Sequence, residues 1–285
     1  MAEALTLDHV LKPNFLIVGV QKAATTSLHA FLSQHSDVFM SARKELHFFD
    51  RRAVTPRSFR HYCDLFSSAR PDQLRGESTP YYIYSQVAPR RIAQWLGRIP
   101  LVVSLRNPVE RAYSHYWHER RNGWEWLPFI DAIRRDPREE PSGLYWRRYC
   151  YIERSLYRGQ LERAAEAVGK DNLIVVKFED LTREPLETTN RILLRLRPEI
   201  APLVRLDTRA PSGLRSNSGI PRTPIAHEVV ARARRTLGMP LVPNAAMRMW
   251  LRPERQPPLT PEEYAVARAL ITREEPSIVD LYPDL

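Results

Sequence analysis

The clearest pattern along the chain is a set of short, unbroken apolar runs, each tied to a stretch with apolar residues every three or four positions. Phe15-Leu-Ile-Val-Gly-Val20 is the first run. Its length and β-branched content predict a strand buried on both faces, as in a parallel sheet, because a half-exposed strand would alternate. Gln21–Ser27 is small and polar and predicts a loop. Leu28, Phe31 and Leu32 then recur at helical spacing, so a helix is expected from about Thr26 to Gln34. Pro100–Leu105 predicts a second strand. Asn107, Pro108 and Glu110 supply an N-cap, a proline for the first helical position and a first-turn carboxylate, and predict a helix to about Arg121. Asn172–Lys177 predicts a third strand, preceded by a helical pattern over Tyr151–Val168 and followed by a helix over Glu187–Leu196. A weaker strand is expected near Gly76. Strands alternating with helices predict an α/β fold, a central parallel sheet flanked by helices.

Beyond these units the pattern breaks. Pro211, Gly213, Gly219, Pro221 and Pro224 predict a long loop over 203–225, and Pro253–Pro261 is a second proline-rich link before a helix over Pro261–Ile271. Long loops in compact domains tend to be functional, so residues 203–260 are expected to form an irregular region covering the active site. No internal repeat and no low-complexity tract is present. The expectation is one domain over 1–285, with 1–13 as an N-terminal extension.

Composition narrows the partners. Hydrophobic residues are 43%, which excludes a disordered chain. Lys+Arg is 43 against Asp+Glu 33, a formal charge of +10 that favours anionic partners. The basic residues are scattered and have acids nearby, which reads as a solvated Arg-rich surface rather than a track for nucleic acid. Lysine occurs only at Lys12, Lys22, Lys44, Lys170 and Lys177. In a chain that otherwise uses arginine, a retained lysine points to a need for a compact point charge. Cys63 and Cys150 form no metal or CxxC pattern and are expected as buried free thiols. Met1–Pro13 lacks the basic and apolar regions of a signal peptide, and no apolar run nears the ~18–20 residues that span a bilayer. The expectation is a soluble, cytoplasmic protein without a transmembrane segment.

Three segments carry candidate chemistry. Gly19-Val-Gln-Lys22-Ala23-Ala24-Thr25-Thr26-Ser27 joins the first strand to the first helix. Backbone N–H groups at a helix N-terminus bind anions with help from the helix dipole. Small residues admit close approach, Lys22 adds a full charge, and the hydroxyls add donors. The order departs from G-x-x-x-x-G-K-[ST], which disfavours an ATP or GTP site. Taken alone, the loop fits equally well as an ordinary β–α turn with Thr26 or Ser27 as N-cap. Arg106 stands at the carboxyl end of the second strand, the edge where open α/β sheets bind ligands. Ser114 follows within two helical turns, so an arginine fork and a hydroxyl are available to one phosphate. A local ion pair for Arg106 and a plain helix-surface Ser114 are the alternative. In Lys44-Glu45-Leu46-His47-Phe48-Phe49-Asp50, extended backbone would turn Glu45, His47 and Phe49 to one side. Glu45 is suited to act as a general base and Lys22 to relieve charge on a departing phosphate. His47 would orient Glu45, contact the acceptor or be the base itself. The structural alternatives are a surface ion pair of Glu45 with Arg43 or Lys44, and a hydrogen-bonded, half-buried His47.

Together these strings resemble the PAPS-dependent sulfotransferases, in particular the branch of heparan sulfate sulfotransferases and soluble bacterial relatives. The resemblance covers roughly Phe15 to Leu196. It implies a P-loop-NTPase-like sulfotransferase fold and in-line sulfuryl transfer from 3′-phosphoadenosine 5′-phosphosulfate (PAPS) to a hydroxyl, less readily an amine, of a small molecule, lipid or carbohydrate. The product would be 3′,5′-ADP (PAP), with no metal and no nucleic acid involved. By this resemblance Lys22, Ala23, Ala24, Thr25, Thr26 and Ser27 hold the 5′-phosphosulfate, with Ala23-Ala24 where the family often has Gly-Gly or Ala-Gly. Arg106-Asn-Pro-x-x-Arg-Ala-x-Ser114 is similar to the 3′-phosphate site. Lys44-Glu45-x-His47-Phe-Phe is similar to the segment carrying the catalytic glutamate, which makes Glu45 the base; small-molecule sulfotransferases use a histidine instead. In Gly76-Glu77-Ser78-Thr79-Pro80, Ser78 stands where many heparan sulfate enzymes have lysine, and Glu77 would help position the acceptor. Ser155-Leu-Tyr157 would bring Tyr157 to adenine. Asn217–Arg222 resembles a late loop closing over the nucleotide, which would give Arg222 a phosphate contact. Trp117, Trp124, Trp126, Tyr145 and Trp146 would line the acceptor cleft or pack in the core. Two other readings compete: a kinase-like or NTP-hydrolysing P-loop enzyme, and a non-enzymatic polyanion binder resting on the +10 charge.

Overall fold

A computed structural model describes residues 10–122, 124–125, 127–135, 148–209, 220–221, 251–252 and 256–277. The chain forms two compact units, Met1–Arg106 with Tyr157–Ser212, and Asn107–Leu156 with Gly213–Leu285.

The first unit is built on a five-stranded sheet: β1 (Phe15–Gly19), β2 (Val38–Met40), β3 (Leu74–Ser78), β4 (Leu101–Leu105) and β5 (Leu173–Lys177). The order is β2-β3-β1-β4-β5 and every pairing is parallel. All five residues of β1 and of β4 are buried, which the unbroken apolar runs require. Phe15 and Ile17 share a core with Leu28, Phe31 and Leu32 of α1 (Thr25–Leu32) and with Ile192 and Leu193 of a later helix, Pro185–Leu196. Leu16 and Val18, which alternate with them, are equally inaccessible, so both faces of the strand are covered. β1 connects to β2 on one side, and the chain later places β4 on its other side. The carboxyl end of β1 is therefore the switch point at which open parallel sheets bind ligands.

The remaining helices of this unit are α2 (Pro56–Cys63) and α3 (Ala88–Leu96). In the second unit α4 (Pro108–Arg121) begins as expected: Asn107 Oδ1 accepts from the N–H groups of Val109 and Glu110 at 3.0 and 3.2 Å. α5 (Phe129–Arg134) and α9 (Pro261–Glu274) pack with α4; the helices between them in sequence are α6 (Arg158–Val168), α7 (Phe178–Arg183) and α8 (Pro185–Leu196), all in the first unit.

One helical expectation is corrected. The pattern over Tyr151–Val168 is not continuous: Glu153–Ser155 is a single 3-10 turn, Leu156 is extended, and α6 begins at Arg158. Ser155 Oγ is engaged by the fully buried Arg111, whose Nε donates to it at 2.7 Å, and in turn donates to the carbonyl of Pro108 at 2.8 Å. Cys63 and Cys150 are both buried, with no disulfide between them. Most of 203–260, with Arg222, lies outside the described residues.

Candidate active site

The loop after β1 reaches α1 through two left-handed residues, Lys22 at φ 76° and Ala24 at φ 56°. Ala24, not Thr26 or Ser27, occupies the N-cap position, and no side chain caps the helix. The first N–H groups of α1 thus have neither an intrahelical partner nor a side-chain cap, as an anion site requires. Ala23 and Thr25 are buried, while Lys22, Ala24, Thr26 and Ser27 are half-buried. Arg106, just past β4, sends Nη1 to the carbonyl of Lys22 at 3.3 Å, and its guanidinium lies 4.6 Å from the Phe178 ring centre.

The segment 44–50 is not extended. Glu45 (φ 55°) and His47 (φ 49°) are both left-handed. Together with Lys22 and Ala24 they are the non-glycine residues of positive φ among the described residues. Such conformations cost about 1–3 kcal/mol each and concentrate at functional sites. The turn still brings Glu45 and His47 together: His47 Nε2 is 3.9 Å from Glu45 Oε2, and His47 Nδ1 is 2.8 Å from Asp50 Oδ2. The Asp50 side chain is 2% exposed and that of Glu45 57%, so a buried carboxylate orients an imidazole whose far edge faces an accessible one. Asp50 is a member of this group that the sequence did not single out.

The strap is held by one backbone bond to β3 and by several side chains. The Glu45 N–H donates to Ser78 O at 2.9 Å, and the Phe48 N–H donates to Tyr82 Oη at 2.8 Å. Arg51 Nε reaches His47 O at 2.9 Å, and Arg91 Nη1 reaches Phe49 O at 3.1 Å. Tyr82 also hydrogen-bonds Glu77, which accepts from Thr79 Oγ1 at 2.7 Å and Tyr62 Oη at 3.3 Å. Glu77 is fully buried, and burial pushes its carboxyl up to about 7 against those hydrogen bonds and the nearby His47. Glu77, expected to help position the acceptor, is sealed from solvent and shares Tyr82 with the Phe48 N–H of the strap.

Lys44 Nζ donates to Thr26 Oγ1, which ties the strap to the start of α1. Burial lowers the Lys44 ammonium, partly offset by Glu45. Burial and Lys44 together hold His29, one turn along α1, down at about 4 and therefore neutral.

Tyr157 is the residue expected near adenine. Its ring is fully buried and its hydroxyl donates to Arg106 O at 2.8 Å. Ser114 lies on α4 in the second unit and is 9% exposed. In that unit Trp117 packs edge-on to Tyr113 and Tyr116, and Arg148 lies 3.6 Å from the Trp124 ring centre. Trp126, Tyr145 and Trp146 are outside the described residues.

An uncapped strand–loop–helix turn thus lies at the switch point of a parallel sheet, where open α/β folds bind ligands, with a carboxylate–imidazole–carboxylate group in the same unit. The sulfotransferase domain family matches residues 12–194. Heparan sulfate glucosamine 3-O-sulfotransferase 6 of Mus musculus is 42% identical over 180 residues, 63% of this chain and 51% of that protein. The bifunctional heparan sulfate N-deacetylase/N-sulfotransferase 2 of Bos taurus is 33% identical over 187 residues, 61% of this chain and 20% of that protein. A crystal structure of a sulfotransferase from Alicyclobacillus acidocaldarius superimposes with a TM-score of 0.60 at 26% identity, covering 84% of this chain and 100% of that one. The chain therefore belongs to the PAPS-dependent sulfotransferase family. It spans 20% and 51% of the two named relatives. No helix among the described residues is long and apolar enough to cross a membrane.

Proposed function

We propose that the chain transfers a sulfuryl group from PAPS to a hydroxyl of a carbohydrate, lipid or small molecule, with Glu45 as general base. The observation that carries this reading is the juxtaposition, within one unit, of the uncapped loop after β1 and the Asp50–His47–Glu45 group, tied by Lys44 and Thr26. PAPS supplies a sulfuryl group activated by a phosphate leaving group. The first-turn N–H groups of α1 and the ammonium of Lys22 meet the charge of that phosphate, which is the work such a helix end does elsewhere. Glu45 is accessible and takes the acceptor proton, while His47, fixed through Nδ1 by Asp50, holds the Glu45 carboxylate in place.

The string shared by Arg106 and Ser114 supports a 3′-phosphate role for both. Tyr157 serves that role indirectly, because its hydroxyl fixes the Arg106 carbonyl. Arg222 as a further phosphate contact rests on the late-loop resemblance. The relatives include both O- and N-sulfotransferases, so a hydroxyl acceptor rests on the accessible carboxylate base.

Incubation with labelled PAPS and acceptors bearing hydroxyl or amine groups tests the reading. Glu45→Gln should lower kcat by about 100- to 10,000-fold while PAP affinity stays within about twofold. Lys22→Ala should weaken both. A folded wild-type chain that binds no PAP and transfers no sulfuryl group refutes the proposal.

A further inference from the structure

Lys44 directly precedes Glu45, yet its ammonium reaches across 18 positions to Thr26 Oγ1 on α1. It is one of five lysines in a chain with 43 basic residues, and its contact joins one nitrogen to one hydroxyl, which a compact ammonium suits better than a planar fork. It is half-buried and forms no ion pair with a described carboxylate; Glu45, its neighbour, acts on it only at a distance. A cation removed from water without a paired anion is costly unless an anion is to arrive. The uncapped amides of α1 lie beside it, and they too carry positive potential.

The chemistry of the bond sets a direction. An ammonium only donates, so Thr26 Oγ1 must accept, and the hydroxyl proton is turned to another acceptor. Among the described residues that proton donates to no protein group. The neutral His29 adds no competing cation on the same helix.

We infer that Lys44 is the second cation of the donor site, a positioning residue that holds Thr26 as a hydrogen-bond donor to the 5′-phosphate of PAPS. The inference rests on the loop after β1 being the donor site, as proposed above. It adds a residue on the acceptor-side strap whose effect is felt on the donor side.

Calorimetric binding of PAP to the full chain, with turnover and melting temperature measured in parallel, tests it. Lys44→Met should weaken PAP binding by about 10- to 100-fold, the usual loss for a charge-assisted hydrogen bond. Lys44→Arg should not restore it. Thr26→Ala should give a similar loss, and the double variant should be no weaker than the poorer single within about threefold, because both remove one interaction. The melting temperature should hold or rise in Lys44→Met, since a half-buried charge is lost. Lys44→Gln, which keeps a donor and drops the charge, repeats the test should Lys44→Met not fold. Wild type binding PAP while Lys44→Met binds it equally overturns the inference alone, as do losses that multiply in the double variant. Wild type failing to bind PAP overturns the donor-site reading and this inference with it.

Discussion

Asp50 Oδ2 lies 2.8 Å from the ring of His47, whose other edge lies 3.9 Å from Glu45, so in the proposed mechanism the three residues differ in how directly they act. Removing the base should cost more than removing the group that positions it. Asp50→Asn and His47→Asn are expected to lower kcat by about 10- to 100-fold with little change in KM, less than Glu45→Gln, in steady-state assays. A larger loss in His47→Asn than in Glu45→Gln makes the imidazole the base. Glu77, fully buried, is expected to act on stability. Burial raises its carboxyl from 4.5 to about 7, so the folded state binds a proton that the unfolded state has released across that interval. Stability then falls as pH rises from the lower value to the upper, by roughly 3 kcal/mol in total, and is flat above it. Glu77→Gln cannot lose that proton and should gain on wild type between pH 5 and pH 8 in denaturant titrations. A difference independent of pH shows that Glu77 does not titrate there.

At the scale of elements, β3 has no room to vary at Gly76. A Cβ there would stand 2.3 Å from the Phe15 ring on β1. Gly76→Ala must displace that ring from the core and should destabilise by about 1–3 kcal/mol, seen as a lower denaturation midpoint with an unchanged m-value. The elements also show what the sequence discloses. β1, β4 and β5 are five-residue strands rich in apolar residues, with Ser104 the one polar residue of β4 and Lys177 that of β5, and α4 announces itself by Asn107 and Pro108. β2 has three residues, too few to show a period. α2 carries a capping box at Thr55 and Ser58 that was readable, and α3 a proline in its first turn. The break at Leu156–Tyr157 was not readable, because the carbonyl Tyr157 seeks is 51 positions away. In the site, Lys22, Glu45 and His47 were legible as chemical types on recognisable strings. The place of Asp50 beside His47 and the tie of Lys44 to Thr26 were not, because the segment turns left-handed twice instead of extending.

The whole molecule carries a formal charge of +10, spread over its length rather than gathered in a run. Such a field raises the local concentration of an anionic nucleotide without choosing it. PAP affinity should therefore fall about three- to tenfold as NaCl rises from about 0.05 to about 0.5 M, less steeply than for a protein whose binding is carried by exposed charges. A slope as steep as that of a nucleic-acid binder favours the polyanion reading instead. The strap that carries the proposed base has its backbone fastened by Arg51, Tyr82 and Arg91. A main-chain conformation is usually beyond the reach of a single remote point mutation, since its bonds belong to every residue's common backbone. Here several of them belong to particular side chains. If Glu45 is the base, as proposed, natural drift or directed evolution at positions 51, 82 or 91 should re-aim that carboxylate while leaving it chemically intact, making acceptor choice adjustable from sites remote from the acceptor.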